Sequence, residues 1–208
     1  MLTDLMLTRA TLLAFTLASL LIELTPGPNM TYLALVGVKA GRRAGFAAVA
    51  GVALGLALLA LVVSLGIGRA IEAGSAPYEA LRWAGVAYLL YLAFDAWREP
   101  AMPAAVTVEA ARRYFLRGLV TNLLNPKAAL FYVTVLPTFL APTGGTPSQA
   151  LTLSAIYVAV ATGIHATIVA LASLLSPLLS DRRRLRHGGR LFAVALAGVA
   201  LWIAWSTG

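Results

Sequence analysis

The chain has 208 residues, of which 60% are hydrophobic and only 12% charged, and its mean hydropathy is +0.85. Soluble globular domains carry about half apolar and about a quarter charged residues, so this composition excludes that class and indicates a single membrane domain over residues 1–208. The net charge of +8 does not predict nucleic-acid binding, because the basic residues lie in short loops between apolar runs, and the absence of cysteine excludes disulfides and thiolate sites.

Six apolar segments predict six transmembrane helices in an all-α integral membrane fold. The first apolar run, Ala10 to Ile22, has the length of a signal-peptide core, but it continues into Glu23 and a Pro-Gly-Pro motif without a cleavage pattern. We therefore expect it to be retained as a membrane helix. The predicted helices lie near residues 8–32, 44–68, 77–97, 115–140, 149–177 and 189–206.

The basic residues are distributed unevenly among the predicted loops, since 12 of the 16 fall in the first, third and fifth. Basic loops are retained in the cytoplasm, so both chain termini of this multi-pass protein are predicted to lie outside it. The 12 residues are Lys39, Arg42, Arg43, Arg98, Arg112, Arg113, Arg117, Arg182, Arg183, Arg184, Arg186 and Arg190.

Structural roles are predicted for three glycines and one aspartate near these loops. Gly37, Gly41 and Gly45 have the spacing of one helical face, which favours close helix packing. Asp95 is predicted to pair with Arg98 or to lie at the cytoplasmic end of the third helix, and either role is structural.

The chain also aligns weakly with itself at an offset of 100 residues. The aligned pairs are Leu24 with Leu124, Pro26 with Pro126, and Gly45 with Gly145. We predict two three-helix repeats, about residues 1–100 and 101–208, inverted because each contains an odd number of helices. Proline removes a backbone donor, so helices one and four should be broken, and the freed backbone groups mark a binding region. A helix end or a plain kink is the alternative.

At the two proline motifs the sequence resembles the lysine exporter (LysE/RhtB) family. The matching residues are Thr25-Pro26-Gly27-Pro28-Asn29, Gly41-Arg42-Arg43-Ala44-Gly45, Gly51, Ala87-Tyr88-Leu89-Leu90-Tyr91-Leu92, Asn122, Asn125-Pro126-Lys127, Phe131, Pro137 and Phe139. The resemblance implies efflux of amino acids or their derivatives across a bacterial inner membrane, driven by the proton gradient. The departures are Ala93, Thr138, Glu23 where an apolar residue is expected, and His165 where relatives often carry Asp or another polar residue.

The candidate substrate-binding residues lie at the two breaks. A charge inside a membrane is expensive, so the Lys127 ammonium is predicted to hold a substrate carboxylate, with snorkelling toward the cytoplasmic face as the alternative. For Thr25 and Asn122, hydrogen bonding to the freed backbone groups is as good an explanation as substrate binding. The predicted binding set is Pro26, Gly27, Pro28, Asn29, Asn125, Pro126 and Lys127.

Glu23 and His165 are the candidates for proton coupling. Glu23 is the only acidic residue within the first span, where it could pair with a substrate ammonium, with Lys127 or with a transported proton. A static pair with Lys127 would make it structural. His165 can titrate near neutral pH, although a single histidine in a helix is more often a packing residue.

The sequence thus predicts a proton-coupled secondary exporter of amino acids, with no cofactor, no metal and no enzymatic activity. A cation or metal exporter is the alternative, but it would favour several membrane carboxylates, and only Glu23 is convincingly placed. An intramembrane enzyme would need a nucleophile with a base, or a metal cluster, at one depth. A homodimer through the glycine-lined faces is possible, and the amino acid exported is not determined.

Overall fold

A computed structural model describes residues 7–64, 75–98, 107–140, 146–175 and 182–206, and all regular structure in these ranges is helical. Other residues, including the predicted end of helix two at 65–68, Gly144 and Gly145, lie outside the described ranges. The helices are α1 Arg9–Leu24, α2 Pro28–Ser64, α3 Ala76–Arg98, α4 Val108–Leu123, α5 Pro126–Leu130, α6 Pro147–Ser173 and α7 Arg182–Ser206. Helix α5 continues as one π-helical turn, Phe131–Val135, and one 3₁₀ turn, Leu136–Phe139.

The first predicted break is present between α1 and α2. The Thr8 hydroxyl caps the start of α1, and the helix ends at Leu24, just before Pro26. Pro28 then starts α2, a position where its missing N–H has no helical acceptor to lose. The proline pair therefore stops one helix and begins the next within three residues.

The chain reverses direction at Gly41, inside the segment assigned to α2. Gly41 has φ 74° and ψ −172°, a conformation adopted almost only by glycine. In a straight helix positions 29 and 55 would be about 39 Å apart, yet Asn29 bonds to Asn122 and Gly55 packs against the same side chain. Residues 28–40 and 42–64 are therefore two helices that fold back on each other.

This reversal corrects two sequence-based expectations. The predicted loop at residues 33–43 is wrong, because the chain is helical up to the single turn residue Gly41. Gly41 also does not share a packing face with Gly37 and Gly45, which flank the turn and both lie against Val169 of α6. Proximity of both glycines to one residue follows directly from the reversal.

A second break separates α4 from α5, with a bend of 52° between α4 and the segment Pro126–Phe139. The Asn125 side chain accepts a hydrogen bond from the Lys127 backbone N–H at 3.1 Å, and Pro126 occupies the first turn of α5. The interruption predicted for helix four is thus present, and an asparagine cap with a following proline starts the new helix.

The core is formed by α2 against α4 and α6, with α3 packed on α7. Glycines permit close approach of α2 and α4: a Cβ on Gly51 would overlap the Phe115 carbonyl oxygen, and one on Gly118 would overlap the Ala48 carbonyl oxygen. Small residues at helix crossings are typical of membrane proteins, where packing replaces the hydrophobic effect between helices.

Two helical segments in the described ranges, Pro28–Ser64 and Pro147–Ser173, contain an apolar stretch long enough to span a membrane, and the first of them is folded into two helices at Gly41. The bent α4–α5 pair makes a third if counted as one span. The all-helical membrane architecture agrees with the sequence. The six crossings and the inverted repeat stay predictions.

The expected pairing of Asp95 with Arg98 is wrong. Asp95 instead binds Arg113, at 3.1 Å, and Arg117, both on α4. The Arg98 guanidinium lies over the Phe94 ring, 5.1 Å from its centroid. Asp95 therefore joins α3 to α4 rather than capping its own helix.

Candidate functional site

The two helix breaks meet at Lys127. Its ammonium donates a 2.7 Å hydrogen bond to the Thr25 carbonyl oxygen, across 102 residues of sequence. The aliphatic stem lies beside Gly27, where a Cβ would be 3.3 Å from the Lys127 Cδ atom. Glycine at position 27 thus leaves room for the lysine to reach the first break.

A cavity of about 350 Å³ opens at this meeting point. It is bounded by both breaks, by the first turn of α3 and by the end of α7. Six of the seven predicted binding residues lie on its wall, namely Pro26, Gly27, Pro28, Asn125, Pro126 and Lys127. Thr25, for which the sequence left a binding role and a backbone role equally open, also lies on the wall. The sequence did not predict the other eight wall residues as binding residues; they are Ile22, Tyr78, Leu130, Phe131, Thr134, Val135, Trp202 and Ile203.

Asn29, the seventh predicted binding residue, lies outside the cavity wall. Its side-chain N–H donates a 2.8 Å hydrogen bond to the Asn122 side-chain oxygen, and the two residues are 6% and 0% exposed. Gly55 accommodates this pair, since a Cβ there would lie 2.8 Å from the Asn122 amide nitrogen. The amide pair ties the start of α2 to the end of α4.

Asn125 has an evident structural role as well as a place on the wall. Its side-chain oxygen caps the first turn of α5 through the Lys127 N–H. This cap orients the helix that carries Lys127, so Asn125 positions the lysine whether or not it touches a substrate.

Glu23 and His165, the two coupling candidates, are brought together. The His165 Nε2 atom is 3.3 Å from Glu23 Oε2, and the Tyr157 hydroxyl donates a 2.6 Å hydrogen bond to Glu23 Oε1. His165 is 1% exposed, Glu23 is 6% exposed and Tyr157 is 0% exposed. A carboxylate held between an imidazole and a phenol in a buried site can accept or release a proton without leaving its partners.

Tyr157 was missed by the sequence reading, although a signal for it exists. It precedes His165 by eight residues, which is slightly more than two helical turns, so both side chains lie on one face of α6. Ala161 between them is also buried. A polar group on the buried face that carries His165 could therefore have been recognised as its neighbour.

Lys127 and Glu23 do not form the direct ion pair considered from the sequence. Lys127 bonds to the Thr25 carbonyl, and Glu23 bonds to Tyr157 and contacts His165. Phe131 lies on the cavity wall and stacks on Tyr157 with ring centroids 3.6 Å apart. An aromatic layer thus separates the lysine cavity from the buried acid.

Within the described ranges, no group of three His, Asp or Glu side chains could hold a metal ion. Two buried hydroxyls near Glu23 have no hydrogen-bond partner: Ser19, one turn earlier on α1, and Tyr132, whose ring contacts Tyr157 edge to face at 5.4 Å. The buried polar cluster therefore contains more hydrogen-bond donors than the Glu23 carboxylate binds.

Long apolar helices, two broken helices that meet at a cavity, and a charged side chain on its wall define an integral membrane protein of the transporter class. The chain belongs to the LysE type translocator family, whose model matches residues 20–207. The family resemblance drawn from the two proline motifs is thereby confirmed.

Named relatives cover much of the chain. A leucine efflux protein of Klebsiella pneumoniae is 27% identical over 198 residues, covering 92% of this chain and 93% of the relative. A homoserine/homoserine lactone efflux protein of Salmonella typhimurium is 30% identical over 132 residues, 62% of this chain and 64% of the relative. An uncharacterized membrane protein of Vibrio cholerae is 28% identical, covering 92% and 95%. No solved structure matches the chain.

Proposed function

We propose that the protein is a secondary exporter of amino acids across the bacterial inner membrane, coupled to protons. Membership of a translocator family and relatives named for leucine and homoserine efflux support the class of cargo. The single observation that carries the proposal is Lys127, a cation at the meeting point of two helix breaks and on the wall of a 350 Å³ cavity.

Lys127 is suited to a carboxylate because its present partner is only a neutral carbonyl. A charge in a membrane interior is stabilised far better by an opposite charge than by a single backbone oxygen. A substrate carboxylate would take over the ammonium in the cavity that both breaks line. Asn125 positions the helix that carries Lys127 by capping its first turn. Asn29 lies outside the cavity wall and contributes through its hydrogen bond to Asn122.

The proton site in this proposal is the Glu23–His165 pair. Proton entry would protonate the pair, and loss of that proton on the other side of the membrane would reset the carrier. Phe131 links the two sites physically, because it lines the cavity and stacks on the tyrosine that binds Glu23. A change in the shape of the cavity would therefore be transmitted through Phe131 and Tyr157 to Glu23.

The architecture in this proposal has six crossings in two inverted repeats, with both termini outside the cytoplasm. Pro26 and Pro126, which the internal alignment pairs, each stand two or three residues after a helix end. The Asn29–Asn122 bond joins the two broken regions. Inverted repeats with broken helices at a central site are a common transporter plan.

Efflux of labelled amino acids from proteoliposomes, with and without an imposed pH gradient, tests the proposed function. We expect wild-type protein to release amino acids faster with the gradient. Lys127→Met should lower efflux about tenfold or more, while Lys127→Arg should keep a measurable part of it because the charge remains. No release of any amino acid by folded wild-type protein would refute the exporter, and wild-type efflux by Lys127→Met would refute the role of the lysine.

A further inference from the structure

The charge of the cavity wall restricts the substrate. Among the 15 wall residues, Lys127 is the only one with a formal charge, and none is acidic. A carboxylate is attracted to such a wall, whereas a second cation would face Lys127 without an opposing acid. A second carboxylate would be left without a cation of its own.

Glu23 is not available to a cationic side chain. It lies beside the wall residue Ile22 in sequence, but it is 6% exposed, binds Tyr157 and contacts His165. Phe131 stands between Tyr157 and the cavity. Glu79, which follows the wall residue Tyr78, is paired with Arg82 at 2.9 Å. Both acids that neighbour wall residues in sequence are therefore already engaged.

The α-ammonium of an amino acid has an acceptor that carries no charge. The Thr25 carbonyl oxygen faces the cavity at the first break, where it now accepts the Lys127 ammonium. A bound amino acid can insert between them, its carboxylate on Lys127 and its ammonium on the Thr25 oxygen. The lysine in the present structure occupies the place that the substrate ammonium would take.

Most of the rest of the wall is apolar. Aliphatic and aromatic surface comes from three segments of the chain and is supplied by Ile22, Leu130, Phe131, Val135, Trp202 and Ile203. The polar side chains on the wall are Thr25, Tyr78, Asn125 and Thr134, and the hydroxyls of Thr25 and Thr134 already donate to the Leu21 and Leu130 carbonyl oxygens. The cavity volume of about 350 Å³ is at the lower end of the range of about 300–1,000 Å³ for small-molecule sites. Small zwitterions fit this size better than extended ligands do.

We propose that this cavity selects neutral amino acids with an apolar side chain, which Lys127 and the Thr25 carbonyl hold by their backbone groups. The selection rests on the proposed export function and adds the substrate class to it. Leucine-sized side chains fill the apolar wall, lysine and arginine are rejected by Lys127, and acidic or hydroxylated side chains leave a polar group against apolar surface.

Exchange of labelled substrates by the full chain in proteoliposomes tests this selection. The panel is leucine, isoleucine and methionine against lysine, glutamate and serine at equal concentration. We expect each apolar amino acid to exchange about tenfold or more faster than each of the others. Equal or faster exchange of lysine, glutamate or serine would overturn the substrate class while leaving the exporter in place, and no exchange at all would overturn the export function itself.

Two tryptophans on α7 provide a matched pair of variants. Trp202 lines the cavity and is 58% exposed, whereas Trp205 is 90% exposed and absent from the wall. Trp202→Ala should lower the preference for leucine over alanine about tenfold, and Trp205→Ala should leave that ratio unchanged. Because the readout is a ratio within one protein, lower expression does not affect it. An unchanged ratio in Trp202→Ala would overturn the assignment of the apolar wall.

Discussion

Two residues that depart from the expected family pattern lie side by side at the scale of single residues. The resemblance leads us to expect an apolar residue at position 23 and Asp or another polar residue at position 165, where the chain has Glu23 and His165. Their side chains are 3.3 Å apart in a buried site. A buried carboxylate without a partner is strongly destabilising, and Glu23 has two neighbours that can stabilise it, the His165 imidazole and the Tyr157 hydroxyl.

Variants of this cluster should separate coupling from binding. Glu23→Gln keeps the shape but removes the exchangeable proton, so we expect it to abolish gradient-driven efflux and to retain substrate exchange, which needs no net proton transfer. Tyr157→Phe loses one hydrogen bond and keeps the stacking on Phe131, so a smaller loss, about tenfold, is expected. Retained exchange serves as the folding control. Gradient-driven efflux by Glu23→Gln at the wild-type rate would exclude Glu23 from coupling.

The sequence predicted the chemistry of the site better than its connections. Lys127, Glu23 and His165 stand out as ionisable groups within apolar segments, which is a local property. Which of them touch depends on packing between helices that are more than 100 residues apart in sequence. The partner of Lys127 is therefore a backbone oxygen of Thr25, and the partner of Glu23 is the unanticipated Tyr157.

At the scale of helices, proline was a more reliable guide than glycine. Pro26 and Pro126 marked both breaks because a proline within an apolar run removes a helical hydrogen bond and clashes with the preceding turn. A glycine within an apolar helix can instead serve packing, a turn or neither. Gly41 was therefore read as a packing residue, although it makes the reversal on which the arrangement of α2 depends. The extent of α3 was predicted to within one residue at each end, because polar residues flank it.

Substitution of Gly41 tests the reversal. At φ 74° and ψ −172° a Cβ is strained, so Gly41→Ala should lower the free energy of unfolding by about 1–3 kcal/mol. Gly163→Ala is the control, because a Cβ on this α6 glycine would meet nothing within 4 Å and alanine favours a helix. Denaturation of both purified variants in detergent gives the comparison. Equal stability of Gly41→Ala and wild type would mean that the turn tolerates a side chain.

At the scale of the whole molecule, the cavity and a group of ionic contacts lie at opposite ends of α3. Tyr78 lines the cavity in the first turn, and Asp95, 17 residues or about 26 Å further along, binds Arg113 and Arg117. Lys39 also donates to the Ala96 carbonyl at 3.2 Å. This end, which the loop charges predict to be cytoplasmic, is thereby held closed.

The space behind these contacts is too small for a substrate. A void of about 30 Å³ lies between residues that include Tyr32, Val36 and Arg117, which is the volume of about one water molecule. In the proposed export cycle an amino acid enters from this end, which requires α3 and α4 to separate. The Asp95 contacts would then break in every cycle, and we expect their strength to set how often this end opens.

Cysteine labelling measures that opening, because the chain has no cysteine of its own. Val36→Cys places a thiol at the closed end, where Val36 is 4% exposed, and Thr134→Cys places one on the cavity wall as the control. Adding Asp95→Asn removes partly exposed ion pairs worth about 1 kcal/mol in total, so the Val36→Cys thiol should react with a maleimide about fivefold faster. The Thr134→Cys thiol should not gain reactivity, since its end of the molecule does not depend on Asp95. Equal acceleration at both positions would indicate general loosening of the fold, and no acceleration at Val36→Cys would show that Asp95 does not hold this end closed.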